Sequence, residues 1–380
     1  MLSARFHDYD GVLSWSAATS RRLRSGVETS TTPSWRKQAK QACALQRVPG
    51  ELLLEVKNLQ THFSLDQGVI KAVDGVDLRV AQGETLALVG ESGCGKTVTA
   101  LSILRLIDEP GRIAGGSITF KGQDLLRLTE SEMLRIRGKE IAMVFQEPMS
   151  SLNPVLTVGD QVAEAVQVHL KKSKKEALRL ATAVLRAVGI PDPDRRIADY
   201  PHQLSGGACQ RLMIAMALSC NPSLLIADEP TSSLDGITQA QILDVLARLK
   251  AEFNLSLLLI THNLGLVAQF ADRVAVMYTG KIVEDAPVNA IFKDPKHPYT
   301  VGLLNSIPRI SHGNPRVRRV KFRSIDGNVP DLLALPPGCT FAPRCPDRMA
   351  KCPMSFPEPT PLDARHIVRC FKFDPQAVPD

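Results

Sequence analysis

The sequence predicts an α/β fold organised around a mostly parallel β-sheet. Short apolar segments alternate with helix-forming segments over much of the chain, as in folds where helices connect parallel strands. One apolar segment leads through a glycine-rich loop into a helix, and another ends in two adjacent carboxylates. The 380 residues, of which 44% are hydrophobic and 22% charged, match the composition of an ordinary folded protein, so wholesale disorder is excluded.

The length of the chain suits two to three domains, at about 150 residues per domain. Its longest apolar runs, such as 257–260, fall far short of the roughly 20 residues that a helix needs to cross a bilayer. Any role at a membrane is therefore expected to depend on a partner protein.

The net charge of +7 is concentrated near the N-terminus. Residues 1–50 hold eight Lys or Arg and three Asp or Glu, so the other 330 residues carry only two of the seven positive charges. A chain so near neutrality lacks the broad basic surface of a nucleic-acid-binding protein. The local exception is an acid-free stretch whose cations are Arg309, Arg316, Arg318, Arg319, Lys321 and Arg323. We expect a solvated linker there, with a phosphate- or lipid-binding strip as the alternative.

Residues 1–50 differ from the rest of the chain. They contain both tryptophans, clusters of Ser and Thr, and no sustained hydrophobic periodicity, so we expect no folded domain. A basic, hydroxyl-rich, acid-poor leader is typical of an organelle transit peptide, and this one lacks the apolar region of a secretory signal. We favour a dispensable extension over a transit peptide, because a complete domain begins at Glu51.

The folded region opens with strands and a phosphate-binding loop. Four short apolar segments predict an antiparallel start that leads into a buried strand; they are Leu52–Val56, Val69–Val73, Val76–Val80 and Thr85–Val89. The fourth is followed by Gly90, Glu91, Ser92, Gly93, Cys94, Gly95, Lys96 and Thr97, and then by the helix-forming run Val98–Leu106. Glycines let backbone N–H groups converge on phosphates, Lys96 would meet the β and γ phosphates, and the Thr97 hydroxyl would bind Mg2+.

A helical region and a second α/β stretch follow. Residues 155–189 carry apolar side chains at helical spacing beneath a charged face. We then predict a helix over Gln239–Phe253 and strands over Leu224–Ala227, Leu255–Ile260 and Val274–Met277. Strands that alternate with helices in this way favour a parallel sheet.

Two carboxylates stand at the end of the strand Leu224–Ala227. Transfer of a phosphoryl group to water needs one group that supports the metal ion and another that activates the water. We assign the first role to Asp228 and that of general base to Glu229.

A second glycine pair distinguishes this chain from other phosphate-loop proteins. Leu204, Ser205, Gly206 and Gly207 precede a helix that begins near Ala208. Ser205 is a good helix N-cap, and glycines at the positive end of a helix dipole suit a second phosphate contact. With this feature the chain resembles the ATP-binding subunit of an ABC transporter.

The other motifs of that family occur in the expected order. Gln146 matches the glutamine that contacts magnesium and water, Ser233-Leu234-Asp235 matches the D-loop, and His262 matches the switch histidine that contacts the γ phosphate. Phe63 stands where the family stacks an aromatic ring on adenine. The resemblance implies a RecA-like phosphate-loop core, an antiparallel β subdomain and a helical insert at about 150–205, all within an ATPase domain of residues 51–295.

The resemblance extends to the ATPases of peptide and nickel importers, of the dipeptide/oligopeptide permease "D" type. Residues 146–154 resemble the extended glutamine loop of that subfamily, 272–278 its strand after the histidine, and 297–308 its C-terminal extension. Membership implies ATP and Mg2+ as ligands, a second ABC ATPase in a heterodimer, two transmembrane permease subunits and an extracytoplasmic substrate-binding protein. It places the chain on the cytoplasmic face of the plasma membrane and implies no nucleic-acid partner.

A soluble ABC ATPase that acts on DNA or ribosomes is the alternative. Such proteins carry tandem ATPase units, a long coiled coil or a basic surface, and this sequence has one phosphate loop, no sustained heptads and a nearly neutral core. The transported solute is not evident, since related importers carry peptides, nickel or sugars.

Three positions depart from the family pattern. Cys94 replaces a serine in the phosphate loop, Asn263 replaces an aspartate after the histidine, and Ala208-Cys209 replaces Met-Arg after the signature glycines. We expect the change at Cys94 to be neutral. The absence of arginine at position 209 removes a cation beside the γ-phosphate contact, and we expect this loss to weaken that half-site.

Residues 296–380 are predicted to form a C-terminal extension with a small module rich in Pro and Cys. Cys339, Cys345, Cys352 and Cys370 have the spacing C-x5-C-x6-C-x17-C, and disulfides are disfavoured in a reducing compartment. Zinc is an alternative ligand, although its sites usually show closer cysteine pairs. Because Cys345 and Cys352 precede proline, and because similar permease ATPases hold a 4Fe-4S cluster, we favour the cluster over zinc. We expect His366 to pack within the module or to contact a metal-binding residue without binding the metal itself, with zinc ligation as the alternative.

Overall fold

The computed structural model describes residues 50–232, 234–307 and 325–374 of the chain. The predicted leader, apart from Gly50, and the basic stretch 309–323 lie outside these ranges. So do Cys43, Ser233 of the D-loop motif and Pro308. The described residues all lie within one compact unit, Leu45–Asp380.

The strands of the described ranges form two sheets. They are β1 (Leu52–Leu65), β2 (Gly68–Ala81), β3 (Thr85–Val89), β4 (Gly111–Phe120), β5 (Gln123–Asp124), β6 (Ile141–Val144), β7 (Leu224–Asp228), β8 (Ser256–Ile260), β9 (Arg273–Tyr278), β10 (Lys281–Pro287), β11 (Thr360–Pro361) and β12 (Ile367–Val368). One sheet has the order β2-β1-β4-β5, and the other has the order β11-β12-β10-β9-β3-β8-β7-β6.

The centre of the larger sheet is parallel, as the sequence predicts. Strand β3 pairs in parallel with both β8 and β9, and β7 pairs in parallel with β6 and β8. Every residue of β3, β7 and β8 is buried, which is why these strands read as continuous apolar runs without alternation. The carboxyl ends of parallel strands meet at one edge, so the loops after β3, β7 and β8 are brought side by side.

The smaller sheet is antiparallel, which confirms the predicted antiparallel start. The predicted strands Val69–Val73 and Val76–Val80 are one strand, β2, in the structure. Gly75 lies between them with a φ of 79°, at an irregularity in the β1–β2 register where one extra residue is inserted. Strand β4 was not predicted, because its three glycines weaken the strand pattern.

The helices of the described ranges connect and cover these strands. They are α1 (Lys96–Ile103), α2 (Glu130–Ile136), α3 (Pro148–Ser151), α4 (Val158–Leu170), α5 (Lys174–Ala187), α6 (Pro193–Arg196), α7 (Gly206–Leu218), α8 (Gly236–Phe253), α9 (Leu264–Phe270), α10 (Val288–Lys293) and α11 (Pro298–Asn305). Helix α1 begins two residues before the predicted start and ends three residues before the predicted end. None of these helices has both the length and the apolar character that a bilayer crossing demands.

The region between β6 and β7 is helical, and its helices share one apolar core with strands of the larger sheet. Helices α4, α5 and α7 pack together through buried residues that include Val162, Ala181 and Leu212. Helix α5 begins with a reciprocal cap in which Ser173 accepts from the backbone of Glu176 and the Glu176 side chain accepts from that of Ser173. The bounds predicted for the helical insert, about 150–205, stay a prediction.

The C-terminal segment 325–374 joins the larger sheet. Strand β12 pairs antiparallel with β10, so that Glu284 lies opposite Val368. The segment also has a small apolar cluster of its own, made of Ala342, Cys352 and Phe371. The predicted module is therefore continuous with the larger sheet, because β12 and then β11 extend that sheet beyond β10.

Candidate active site

The loop between β3 and α1 requires glycine at two positions. A Cβ atom at Gly90 would lie 2.2 Å from the carbonyl oxygen of Met277, and one at Gly95 would lie 2.2 Å from that of Ala72. Gly95 also has a φ of 106°, which side chains rarely allow. The backbone at these two glycines therefore packs directly against neighbouring carbonyl groups, which leaves no room for a side chain at either position.

Lys96 is buried inside this loop, with 6% of its surface exposed. Its Nζ donates to the carbonyl oxygens of Gly90 and Glu91, each at 2.9 Å. Neutral carbonyls do not compensate a buried positive charge, so the loop presents a cation that favours an anionic ligand.

Asp228 at the end of β7 lies beside Thr97 of the loop. It is 2% exposed, and its Oδ1 is buried without a hydrogen-bond partner. Burial raises the pKa of Asp228, a hydrogen bond from Thr97 acts against this, and the charge of Glu229 raises the pKa further. A buried carboxylate oxygen without a partner, next to a hydroxyl, is a donor set that fits Mg2+.

The side chain of Glu229 contacts two other predicted site residues. Its Oε1 lies 2.9 Å from Nδ1 of His262, and its Oε2 accepts from Nε2 of Gln146 at 3.3 Å. Its backbone has a φ of 45°, a conformation that is uncommon outside glycine and often found at functional sites. The structure therefore brings together Gln146, Glu229 and His262, which lie at the ends of three neighbouring parallel strands.

The signature residues and the D-loop form a second group. The hydroxyl of Ser205 accepts from the backbone of Ala208 at 3.3 Å and caps α7, as predicted. A Cβ at Gly207 would lie 2.7 Å from Cγ2 of Thr238, and Thr238 in turn donates to Asp235, which caps α8. The N-termini of α7 and α8 are thus adjacent, and Gly206 has open space around it.

Two of the departures from the family pattern have structural explanations. Cys209 is fully buried, and its sulfur lies 3.5 Å from the carbonyl oxygen of Pro201. Position 209 therefore faces the helical core and not the exposed glycines, and this corrects the expectation that Cys209 weakens a phosphate contact. Asn263 caps α9 by accepting from the backbone of Gly265 and Leu266, a role that asparagine performs as well as aspartate.

Phe63 lies near the end of β1, opposite Ile70 and Gly111. Phe63 is half-buried, and a Cβ added at Gly111 would lie only 2.5 Å from Cε1 of its ring. A partly exposed ring on this strand is compatible with stacking, and its role stays a prediction.

Two further contacts to the phosphate loop were not predicted from the sequence. Glu91 pairs with Arg344 of the C-terminal segment, and its backbone N–H donates to the hydroxyl of Tyr299. Tyr299 belongs to the motif His297-Pro298-Tyr299-Thr300, whose place in the fold was given only by resemblance. A contact between residues 253 positions apart leaves no local pattern, so the pairing of Arg344 with Glu91 could not be predicted from the sequence.

The four cysteines of the C-terminal segment converge. Cys339, Cys345, Cys352 and Cys370 all line one small pocket, together with His297 and Phe341. Burial, with smaller contributions from neighbouring cysteines, raises the pKa of Cys345 to about 12 and that of Cys370 to about 11. Among the residues that the structure describes, no group of three or more His, Cys, Asp or Glu side chains is arranged to hold a single metal ion.

The two histidines near this pocket have different roles. His366 does not line the pocket, and its Nε2 lies 2.8 Å from Oε1 of the buried Glu284, which agrees with the packing role that was favoured for it. His297 does line the pocket, and its Nδ1 accepts from the backbone of Tyr299. Burial lowers the pKa of His297 to about 4, so this imidazole is neutral near pH 7.

Comparison with known proteins gives two family matches and many relatives. The chain matches the ABC transporter family over residues 73–232 and the C-terminal region of oligopeptide/dipeptide transporters over residues 283–352. It is 51% identical over 328 residues to a putative peptide import ATP-binding protein of Brucella melitensis, covering 84% of this chain and 97% of that protein. It is 49% identical over 328 residues to the dipeptide transport ATP-binding protein DppD of Bacillus subtilis, covering 86% of this chain and 96% of that one.

Solved structures share the fold. A dimeric post-hydrolysis structure of the ATP-binding cassette MJ0796 bound to ADP and phosphate matches 62% of this chain and 99% of its own, with a TM-score of 0.57 and 27% identity. The cbiO1 protein of Clostridium perfringens matches 64% of this chain and 92% of its own, with a TM-score of 0.55 and 24% identity. These similarities confirm the predicted phosphate-loop α/β fold.

Proposed function

Because the chain belongs to the ABC transporter family, we propose that it is the ATP-hydrolysing subunit of an importer that takes up peptides. The observation that carries this proposal is the contact of Glu229 with both His262 and Gln146, beside a phosphate loop and a metal-suited Asp228. Relatives named as peptide import and dipeptide transport ATP-binding proteins support the solute class.

The residues of the phosphate loop bind the nucleotide. Gly90, Glu91, Ser92, Gly93, Cys94, Gly95, Lys96 and Thr97 surround the phosphates, and Lys96 supplies the positive charge. Mg2+ would be held by Thr97, Asp228 and Gln146, and when bound it neutralises charge on the phosphates. Phe63 stacks on the adenine ring.

Hydrolysis depends on the residues at the ends of β6, β7 and β8. Glu229 accepts a proton from the attacking water, since it is the carboxylate held in place by two neighbours. His262 fixes one oxygen of Glu229 and contacts the γ phosphate, while Gln146 fixes the other oxygen and orients the water.

The signature and D-loop residues act on a second nucleotide. Ser205, Gly206, Gly207 and Asp235 lie at adjacent helix N-termini, and Gly206 has open space around it. A helix N-terminus with free N–H groups attracts phosphate. We place the ATP of a partner ATPase there, in a dimer of two unlike subunits. The dimeric MJ0796 cassette supports the pairing of two ATPases.

The partners follow from the importer assignment. Two transmembrane permease subunits and an extracytoplasmic substrate-binding protein complete the system, and the chain lies at the cytoplasmic face of the plasma membrane. A soluble ABC ATPase that acts on DNA or ribosomes is not favoured, because the relatives named above are transport proteins.

For the cysteine pocket we propose a 4Fe-4S cluster bound by Cys339, Cys345, Cys352 and Cys370. Four cysteines on one pocket supply the four thiolates that such a cluster needs. A single zinc ion with Zn–S bonds of about 2.3 Å would draw all four sulfurs to one point, whereas a cluster binds each thiolate to a different iron. The cluster would be structural, since the surrounding segment has only a small apolar core.

Two measurements test these proposals. The purified complex should hydrolyse ATP and import a peptide in vesicles, and Lys96→Ala should abolish both activities because it removes the buried cation of the loop. Anaerobically purified protein should be brown and contain about four irons per chain. Colourless protein with one zinc ion per chain would show that the four cysteines bind zinc and not a cluster.

A further inference from the structure

The phosphate loop is held from outside by Arg344 of the C-terminal segment 325–374 and by Tyr299 of α11. Arg344 donates from Nη1 to Oε2 of Glu91 at 2.7 Å and from Nη2 to Oε1 at 3.1 Å, which is a bidentate ion pair. The backbone N–H of Glu91 donates to the hydroxyl of Tyr299 at 2.8 Å. One loop residue is thus fixed at its side chain and at its backbone.

Both anchors are themselves held in place. The side chain of Arg344 is 5% exposed, and its Nε donates to the carbonyl oxygen of Asp326 at 3.1 Å. Tyr299 is fully buried, and its ring packs against those of Tyr278 and Phe341. A fork-shaped guanidinium in a fixed position imposes its geometry on the carboxylate that it binds.

The ion pair also controls charge at the site. Glu91 belongs to the loop that surrounds the phosphates, and a carboxylate without a partner there would repel the triphosphate. Arg344 neutralises this carboxylate in a partly buried position, where charge effects are stronger than in bulk water. Loss of Arg344 would therefore leave a negative charge beside an anionic ligand.

We propose that Arg344 and Tyr299 are positioning residues for the phosphate loop, and that through Arg344 the C-terminal segment 325–374 sets the affinity of the chain for ATP. Arg344 directly precedes Cys345, so whatever holds that cysteine also holds the arginine. This inference rests on the proposed ATPase function.

The first test is the variant Arg344→Gln in the full-length protein. The dissociation constant of a fluorescent ATP analogue and the KM for ATP should each rise about tenfold, the size expected for one unpaired charge near the ligand. The value of kcat should change less than about twofold, since Gln146, Glu229 and His262 are untouched. Arg369→Gln is the matched control, because Arg369 binds the same segment to Asp77 of β2, away from the phosphate loop. It should leave ATP affinity unchanged.

The second test separates charge neutralisation from general stability. Glu91→Gln alone should weaken ATP binding by only about twofold, and in the Arg344→Gln background it should restore most of the lost affinity, because no carboxylate remains unpaired. Tyr299→Phe removes only the hydroxyl acceptor and should raise the KM about threefold. Arg344→Lys keeps the charge and lets the test proceed if Arg344→Gln folds poorly; its affinity should fall between those of wild type and Arg344→Gln.

Three results would overturn the inference. They are wild-type ATP affinity in Arg344→Gln, failure of Glu91→Gln to rescue it, and an equal loss of affinity in Arg369→Gln. Each differs from failure of the proposed function, in which the wild-type protein itself would neither bind nor hydrolyse ATP.

Discussion

Nδ1 of His262 lies 2.9 Å from Oε1 of Glu229, at the ends of two adjacent parallel strands. The contact joins residues that are 33 positions apart in the chain, and it leaves the other oxygen of Glu229 to Gln146. Both oxygens of the carboxylate are therefore held by neighbouring side chains, which lowers the cost of aligning it in the reaction.

Replacement of Glu229 tests its role as the base. Glu229→Gln keeps the shape of the side chain and removes its basicity, so ATP turnover should fall by at least about 100-fold while ATP binding changes little. The measurement is ATPase activity beside nucleotide binding, in a complex whose partner ATPase has been inactivated. Glu164→Gln, on the exposed face of α4, is the control. Near wild-type turnover in Glu229→Gln would show that another residue activates the water.

Replacement of Asp228 should stabilise the folded protein and impair its binding of Mg2+. Burial raises the pKa of Asp228, so the folded protein disfavours its charged form, and Asp228→Asn should raise the free energy of unfolding. The same change should abolish the Mg2+ dependence of ATP binding, because it removes the charged metal ligand. Thermal unfolding and Mg2+ titration measure the two effects. A variant that is less stable yet keeps its Mg2+ dependence would contradict the assignment.

Substitutions at two glycines distinguish an effect on the folding of a loop from an effect on nucleotide contact. Gly95→Ala places a Cβ 2.2 Å from the Ala72 carbonyl oxygen at a φ of 106°, so the loop should distort and ATP binding should be lost. Gly206 has nothing within 4 Å of an added Cβ, so Gly206→Ala should fold normally and lose only the hydrolysis that depends on the partner's nucleotide. Gly236→Ala, which has similar space at the N-terminus of α8, is the control. The idea fails if Gly206→Ala hydrolyses ATP at the wild-type rate.

The buried pair of Glu284 and His366 predicts acid sensitivity. Burial alone would raise the pKa of Glu284, but hydrogen bonds from His366 and from the backbone of Lys296 and His297 hold it below its usual value. A carboxyl whose pKa is lowered by folding contributes stability above its unfolded pKa of about 4.3, and this contribution is lost as the pH falls through the lower folded value.

Glu284→Gln tests this pair. It should cost about 3 kcal/mol at pH 7 and should flatten the loss of stability below about pH 4.5. Denaturant unfolding at several pH values measures both effects, and the exposed Glu358→Gln should show neither. An unchanged acid profile in Glu284→Gln would assign the acid sensitivity to other groups.

Much of the site could be predicted because its residues follow buried strands. Asp228 and Glu229 end an apolar run, and the carboxyl ends of parallel strands meet at one edge. The pairing of β7 with β6 and β8 brings them near Gln146 and His262, which were assigned by resemblance to the family. The β1–β2 pairing was harder to predict. Gly75 reads as a turn in sequence, yet its positive φ is absorbed by a bulge within one long strand.

The rest depended on tertiary contacts that leave no local pattern. The burial of Cys209 depends on how α7 packs against the turn at Pro201, and a helix terminus in the sequence does not show which side faces inward. The pairing of Arg344 with Glu91 joins two ends of the folded unit. Neither propensity nor periodicity reports on such pairs.

The pairing of β12 with β10 has a consequence for how the protein is made. Ribosomes deliver the phosphate loop and Glu229 long before His366 and Val368, and domains fold from the N-terminus as they emerge. Until those last residues arrive, Glu284 has neither its imidazole partner nor the strand beside it. A chain cut short after β10 would therefore have all of its catalytic residues but an unfinished sheet, and quality-control proteases would meet an open sheet edge.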